Sequence, residues 1–137
     1  MENVKIEPTK KSLEVECSPG YFKLSGNSIL SDPRKFFKPI VEWVESYLQD
    51  PEDVTTVDLK LEYVDTASVQ SVFDIMRVFK VLQEQKKELV VNFYFEFDDP
   101  ELLELGEIME GRLGIKFNFI EYQIGRASCR ERVCVGV

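Results

Sequence analysis

Asp65, Thr66, Ser68 and Asp74 set two carboxylates and two hydroxyls close together in the stretch Glu62-Tyr63-Val64-Asp65-Thr66-Ala67-Ser68-Val69-Gln70-Ser71-Val72-Phe73-Asp74. Two kinds of chemistry are open to such a set. Carboxylates sharing a concave pocket, with shifted acidities, can move protons. A hydroxyl at the start of a helix can instead carry a phosphate that partners read. The chain contains no histidine, which removes the usual general base and the commonest zinc ligand. Serine–histidine and cysteine–histidine nucleophile systems are therefore impossible. Carboxylate catalysis would need at least two of Glu62, Asp65 and Asp74 in one pocket, and no motif supports it. The expectation is a protein that is not an enzyme and uses no cofactor or metal.

The residues around Thr66 read first as a helix start. Asp65 and Thr66 are both good caps, lying between a strand pattern that ends at Val64 and a long apolar recurrence. The first N–H groups of a helix lack internal partners, and its dipole places positive potential there. A phosphate on Thr66 could be held by those same donors. It would add nearly two negative charges and three acceptor oxygens.

The elements that must position this stretch follow from hydrophobic period and turn chemistry. Leu13, Val15 and Cys17 alternate with Glu14 and Glu16, which predicts a half-buried strand over 12–18. Pro19-Gly20 turns the chain, and Tyr21 to Ser25 completes an opening hairpin. Ser31-Asp32-Pro33 carries a helix start, although Pro39 would delay the regular helix to that point. Ile40, Val41, Val44, Tyr47 and Leu48 then recur at helical spacing, joined by Phe36, Phe37 and Trp43. Trp43 fits the core better than an interface.

Thr56 to Val64 alternates Val57, Leu59, Leu61 and Tyr63 with charged residues, a strand with one wet face. Val69, Val72, Phe73, Met76, Phe79 and Leu82 predict one long helix. Leu89 to Phe97 is a strand with Val91, Phe93, Phe95 and Phe97 facing one way. Asp98-Asp99-Pro100 opens a third helix carrying Leu102, Leu105, Ile108 and Met109 and ending at Gly114, and Lys116 to Tyr122 is the last strand. The order β-β-α-β-α-β-α-β implies an α/β fold. It is a single open-faced mixed sheet, with right-handed crossovers and helices mainly on one face.

The 137 residues suit one domain, over 12–123, after a loosely ordered polar stretch at 1–11. A net charge of −8 argues against nucleic acid and anionic membranes and favours a protein partner. No apolar run is long enough to span a membrane, and the first residues lack a signal-peptide core, so a cytoplasmic location is expected. From Ile124 the composition changes abruptly, and 124–137 resembles translated sequencing adapter joined to a truncated gene. A genuine basic tail is the competing explanation. Setting this non-native tail aside makes the body more acidic and leaves Cys17 as the one cysteine, a small core residue in a reducing compartment.

Leu61-Glu62-Tyr63-Val64-Asp65-Thr66-Ala67-Ser68, with Asp74 on the following helix, resembles the SiaC family of biofilm-regulating phosphoproteins. The family pattern is close to Leu-x-Tyr-x-Asn-Thr-Ser-Ser. Val41-Glu42-Trp43-Val44-Glu45-Ser46-Tyr47-Leu48 is similar to the family's acidic first helix, and Gly26-Asn27-Ser28 to its turn after the hairpin. The likeness runs from Gly20 to Gln123. Asp65 stands where asparagine is usual, and Ala67 where a serine is.

The resemblance implies a fold similar to anti-sigma factor antagonists (STAS-like) and a phosphorylated threonine at Thr66, with Ser68 as rival. It also implies a partner surface of Asp65, Ala67, Ser68, Gln70 and Asp74. A serine/threonine kinase of ATPase fold would add the phosphate and a PP2C-like phosphatase would remove it. The unphosphorylated form would bind and promote a diguanylate cyclase. The alternative is an anti-sigma factor antagonist-type switch acting on another regulator.

Overall fold

Parallel neighbouring strands cannot be joined by a tight turn, so each crossover must carry a helix across the sheet. The computed structural model describes residues 3–29 and 32–122 and shows this arrangement. One sheet is built from β1 (Val4–Ile6), β2 (Glu14–Ser18), β3 (Tyr21–Ser28), β4 (Val54–Val64), β5 (Glu88–Glu96) and β6 (Phe117–Tyr122), side by side in chain order. The first three strands are antiparallel, and β3 to β6 are parallel. The crossovers are α1 (Pro33–Tyr47), α2 (Thr66–Phe79) followed by the one-turn α3 (Val81–Glu84), and α4 (Pro100–Leu113).

Alternation decides which face the helices cover. Val15, Cys17, Phe22, Leu24, Val57, Leu59, Leu61, Val91, Phe93 and Phe117 are all buried against Ile40, Val44, Tyr47, Val72, Ile75, Met76, Phe79 and Met109 of the helices. Trp43 joins this core, its ring stacked on Tyr47 at 5.3 Å. The opposite face carries a polar ladder along the register Lys23–Asp58–Asn92–Asn118. There the Tyr21 hydroxyl and Asn92 Nδ2 donate to the two oxygens of Asp58, at 2.8 and 2.9 Å, and Asn118 Nδ2 donates to Asn92 at 3.1 Å. A face whose polar groups satisfy one another needs no covering helix. Among the described residues, no helix is long and apolar enough to cross a membrane.

Four local features depart from expectation. The polar stretch 1–11 contributes β1, because Val4 and Ile6 pack on the core edge opposite Cys17 and Val15. Helix α1 starts at Pro33, where Asp32 accepts from the Lys35 amide at 3.4 Å, and runs straight through Pro39. Pro39 forfeits one backbone bond on the exposed side, and burial of Phe37, Ile40, Val44 and Tyr47 outweighs that loss. The long second helix breaks at Lys80, whose amide is shared between the Met76 and Arg77 carbonyls at 3.1 and 3.3 Å. The chain tightens there, and Leu82 packs from the separate turn α3. Phe97 and Ile108 are exposed at 60% and 46%, since β5 ends at Glu96 and Ile108 lies off the buried face of α4. Ser31, Gln123 and the stretch 124–137 lie outside the described residues.

Helix α4 is bounded as its residues dictate: Asp99 accepts from the Leu102 amide at 3.1 Å, and Gly114 closes it at φ 69°. It approaches the sheet at Gly106, where an added Cβ would lie 2.8 Å from the Phe93 ring and 2.9 Å from that of Phe119. Gly106→Ala should therefore destabilise by about 1–3 kcal/mol through overpacking. Gly111→Ala, with no atom within 4 Å of its Cβ position, should be neutral or stabilise by about 0.5 kcal/mol. Urea unfolding of both variants checks the contrast.

Burial pushes the Cys17 thiol up to about 12. Burial, then Glu62, Glu96 and Asp99, push the Tyr122 phenol up to about 12 as well. The fold thus binds these protons more tightly than the unfolded chain does. Their stabilisation is complete below the ordinary thiol pKa of about 8.5 and is lost as pH rises toward the folded values. Urea midpoints should be flat from pH 7 to about 8 and fall above about 9, with Cys17→Ala removing part of the fall.

Candidate functional site

The site begins with an irregularity in the sheet. The β3–β4 register shifts between Gly26 and Asn27, so that Gly26 faces Leu61 while Asn27 faces Tyr63. Glu62 is the extra residue, and Gly26 takes φ 103°, a conformation that side chains disfavour. The shift brings Ser28 opposite Val64, at the point where β4 ends. There the Asp65 amide donates to the Ser28 carbonyl at 3.1 Å. Asp65 caps α2 by accepting from the Ser68 amide at 2.9 Å, and the Ser28 hydroxyl donates to the Ser68 hydroxyl at 2.7 Å. Three hydrogen bonds thus close a ring through Ser28, Asp65 and Ser68.

That ring sorts the candidate residues. Ser28 and Ser68 are both 0% exposed. Thr66, the first residue of α2, is exposed, as are Ala67, Gln70 and Asp74, while Asp65 is half-buried. Ser68 is therefore sealed: its hydroxyl is open neither to a kinase nor to a partner. Gln70 Nε2 donates to Asp74 Oδ1 at 3.0 Å, and Arg77 lies 3.9 Å from the same oxygen. Thr66, Ala67, Gln70 and Asp74 make one exposed strip down α2. Sequence reasoning missed the role of Ser28, which read only as part of a small turn. It also missed that Ile29 and Tyr63, 44% and 60% exposed, flank the ring.

An open groove of about 400 Å³ lies between α1 and α2, walled by Arg34, Lys38, Glu42 and Glu45 on one side and Ser71 and Asp74 on the other. Of the three carboxylates weighed for catalysis, Asp74 lines it and Glu62 and Asp65 do not. This groove, among the described residues, does not bring those groups together. Among the described residues, no cluster of three histidine, cysteine or acidic side chains is placed to hold a metal ion.

The geometry is that of an open-faced α/β domain with a hydroxyl exposed on the first turn of α2. The chain belongs to the SiaC family of regulatory phosphoproteins, whose profile it matches over residues 6–122. Its fold superposes on SiaC of Pseudomonas aeruginosa with a TM-score of 0.81 at 19% identity, covering 89% of this chain and all of that one. It superposes with a TM-score of 0.80 at 19% identity on SiaC from the crystal structure of the diguanylate cyclase SiaD with its activator SiaC, also from Pseudomonas aeruginosa. That match covers 87% of this chain and 99% of the other. An uncharacterised protein of Pseudomonas aeruginosa strain UCBPP-PA14 is 21% identical over 109 residues, covering 78% of this chain and 86% of that protein.

The cap gives a direct test of this geometry. Asp65→Ala should cost about 1 kcal/mol of stability, because the Ser68 amide loses its acceptor. Asp65→Asn keeps an acceptor and should cost a few tenths of that at most. Equal losses in denaturant titrations of the two variants would show that the cap bond is not what holds the turn.

Proposed function

We propose that this chain is a phosphorylation-controlled partner switch, acting in the cytoplasm, whose unphosphorylated form binds and promotes a diguanylate cyclase. It thereby tunes cyclic-di-GMP output and biofilm behaviour. Membership of a regulatory phosphoprotein family supports the reading, as does the solved complex in which SiaC is the activator of the cyclase SiaD. Thr66 is the switch residue, phosphorylated by a serine/threonine kinase of ATPase fold and released by a PP2C-like phosphatase. The observation that carries this assignment is the contrast on one helical turn: Thr66 is exposed while Ser68 is wholly buried. Asp65, Ala67, Gln70 and Asp74 make up the partner-facing strip around it.

A phosphate here adds nearly two charges to a chain already at −8. A partner packed against Thr66 would have to strip water from that dianion, which costs several kcal/mol unless a cation answers it. A penalty of about 3 kcal/mol already weakens binding roughly a hundredfold. The fold itself has no reason to change, since Thr66 contributes nothing to the core.

Binding to the purified cyclase and cyclic-di-GMP synthesis should be measured with unphosphorylated wild type, fully phosphorylated wild type, Thr66→Ala and Thr66→Glu. The first and third should bind and stimulate; the second should lose about two orders of magnitude in affinity, and Thr66→Glu a part of that. Equal stimulation by all four forms would remove Thr66 as the switch.

A further inference from the structure

Helix α4 carries an apolar residue that the domain does not use. Ile108 is 46% exposed, whereas Leu102, Gly106, Met109 and Leu113 make the buried side of the same helix. The helical period groups Glu101, Glu104, Ile108, Gly111 and Arg112 on the outward side, with half-buried Leu105 at its margin. Steps of three and four residues separate them, the spacing that lets one helix pack along another. Gly106 is explained by the rings of Phe93 and Phe119, but Gly111 has no atom within 4 Å of its Cβ position. A glycine there costs the helix about 0.5–1 kcal/mol relative to alanine, and nothing inside the domain needs it.

The charges along this seam are ordered. Glu101 and Glu104 stand toward the N-terminal end of α4 and Arg112 toward the C-terminal end, as the helix dipole favours. Neither Glu104 nor Arg112 finds an opposite charge within the helix. The neighbours one turn before Arg112 are Ile108 and Met109, and one turn after Glu104 come Glu107 and Ile108. Among the described residues, no salt bridge reaches either group. Lys80 adds positive charge at the C-terminal end, its Nζ 3.4 Å from the Cβ position of Gly114. A helix acidic at one end, basic at the other and apolar between is complementary to an antiparallel copy of itself.

We propose that α4 packs against α4 of a second copy of this chain, antiparallel about a two-fold axis through Ile108. The two isoleucines meet on the axis. Glu104 and Arg112 each lie about 6 Å along the helix from Ile108, so the glutamate of each copy faces the arginine of the other. Leu105 and Gly111 are likewise equidistant from the axis, and each leucine fills the space before the opposite glycine. That small residue lets the axes approach toward the near end of the roughly 8–10 Å range for packed helices. The contact is isologous and closes at two copies. One helical seam buries less than the roughly 1,200 Å² of a standard interface, so the dimer is weak, with Kd on the order of 10–100 µM. Thr66, Ala67, Gln70 and Asp74 belong to α2 and not to this seam, so the proposal is independent of what the switch binds.

Sedimentation equilibrium of the full chain, with reductant present and loading from about 1 to 500 µM, should fit a monomer–dimer equilibrium in that range. Ile108→Asp should weaken association at least about tenfold, and Gly111→Ala by a smaller factor. Neither should lower the melting temperature at about 1 µM, where the chain is monomeric. Glu104→Arg and Arg112→Glu reverse one charge each, so each variant alone places like charge against like and should stay monomeric. An equimolar mixture of the two restores opposite charges at both contacts and should form a heterodimer about as tight as the wild-type dimer. A wild-type chain that stays monomeric up to about 500 µM overturns the proposal. So does a dimer indifferent to Ile108→Asp, or a mixture of the charge variants that fails to associate. If the chain alone is monomeric and Ile108→Asp instead weakens binding to a diguanylate cyclase, the seam belongs to that protein and the proposal is wrong.

Discussion

The closed ring of hydrogen bonds through Ser28, Asp65 and Ser68 is the constraint on which the site depends. It joins the end of β3 to the first turn of α2, two pieces of chain forty residues apart. Both hydroxyls are buried, so removing either one leaves the other unsatisfied at a cost of about 1–3 kcal/mol. The ring fixes more than position. Successive helical residues are 100° apart, so a Ser68 that points inward places Thr66, two residues earlier, on nearly the opposite side. Exposure of Thr66 is thus a geometric consequence of burying Ser68.

The same division runs through the whole domain. One face of the sheet and the inward sides of α1, α2 and α4 hold the core, while the polar ladder from Tyr21 to Asn118 finishes the other face without help. Charge is left to the outside, where it sets which partners are tolerated and leaves the fold alone. In the proposed switch a surface changes and the core does not. The hydrogen-bonded junction beneath Thr66 would let added charge act as an obstacle to docking, with no need for a refolding step.

Much of this was legible in the sequence because the relevant signals are local. Alternation in Thr56 to Val64 and the capping residues Asp65 and Asp99 fixed the elements, and the order of elements fixed the parallel half of the sheet. What was not legible depends on tertiary packing. Pro39 reads as a helix breaker, yet the buried residues on either side carry α1 past it. Val4 and Ile6 are too short a pattern to announce a strand, and only the neighbouring β2 edge makes them one. Ser68 stood as a rival to Thr66, and its burial became visible only with Ser28 arriving from another strand. The groove was hidden for the same reason, since its two walls come from separate helices and neither carries a motif.

The most direct test of the central claim is amide hydrogen exchange on the purified protein before and after stoichiometric phosphorylation of Thr66. Protection along Val72 to Phe79, and of the Ser68 and Asp65 amides within the ring, should be unchanged, with any difference limited to Thr66 and Ala67. Loss of protection along α2, or of the Ser68 amide, would show that the phosphate opens the junction and that the switch works by unfolding it.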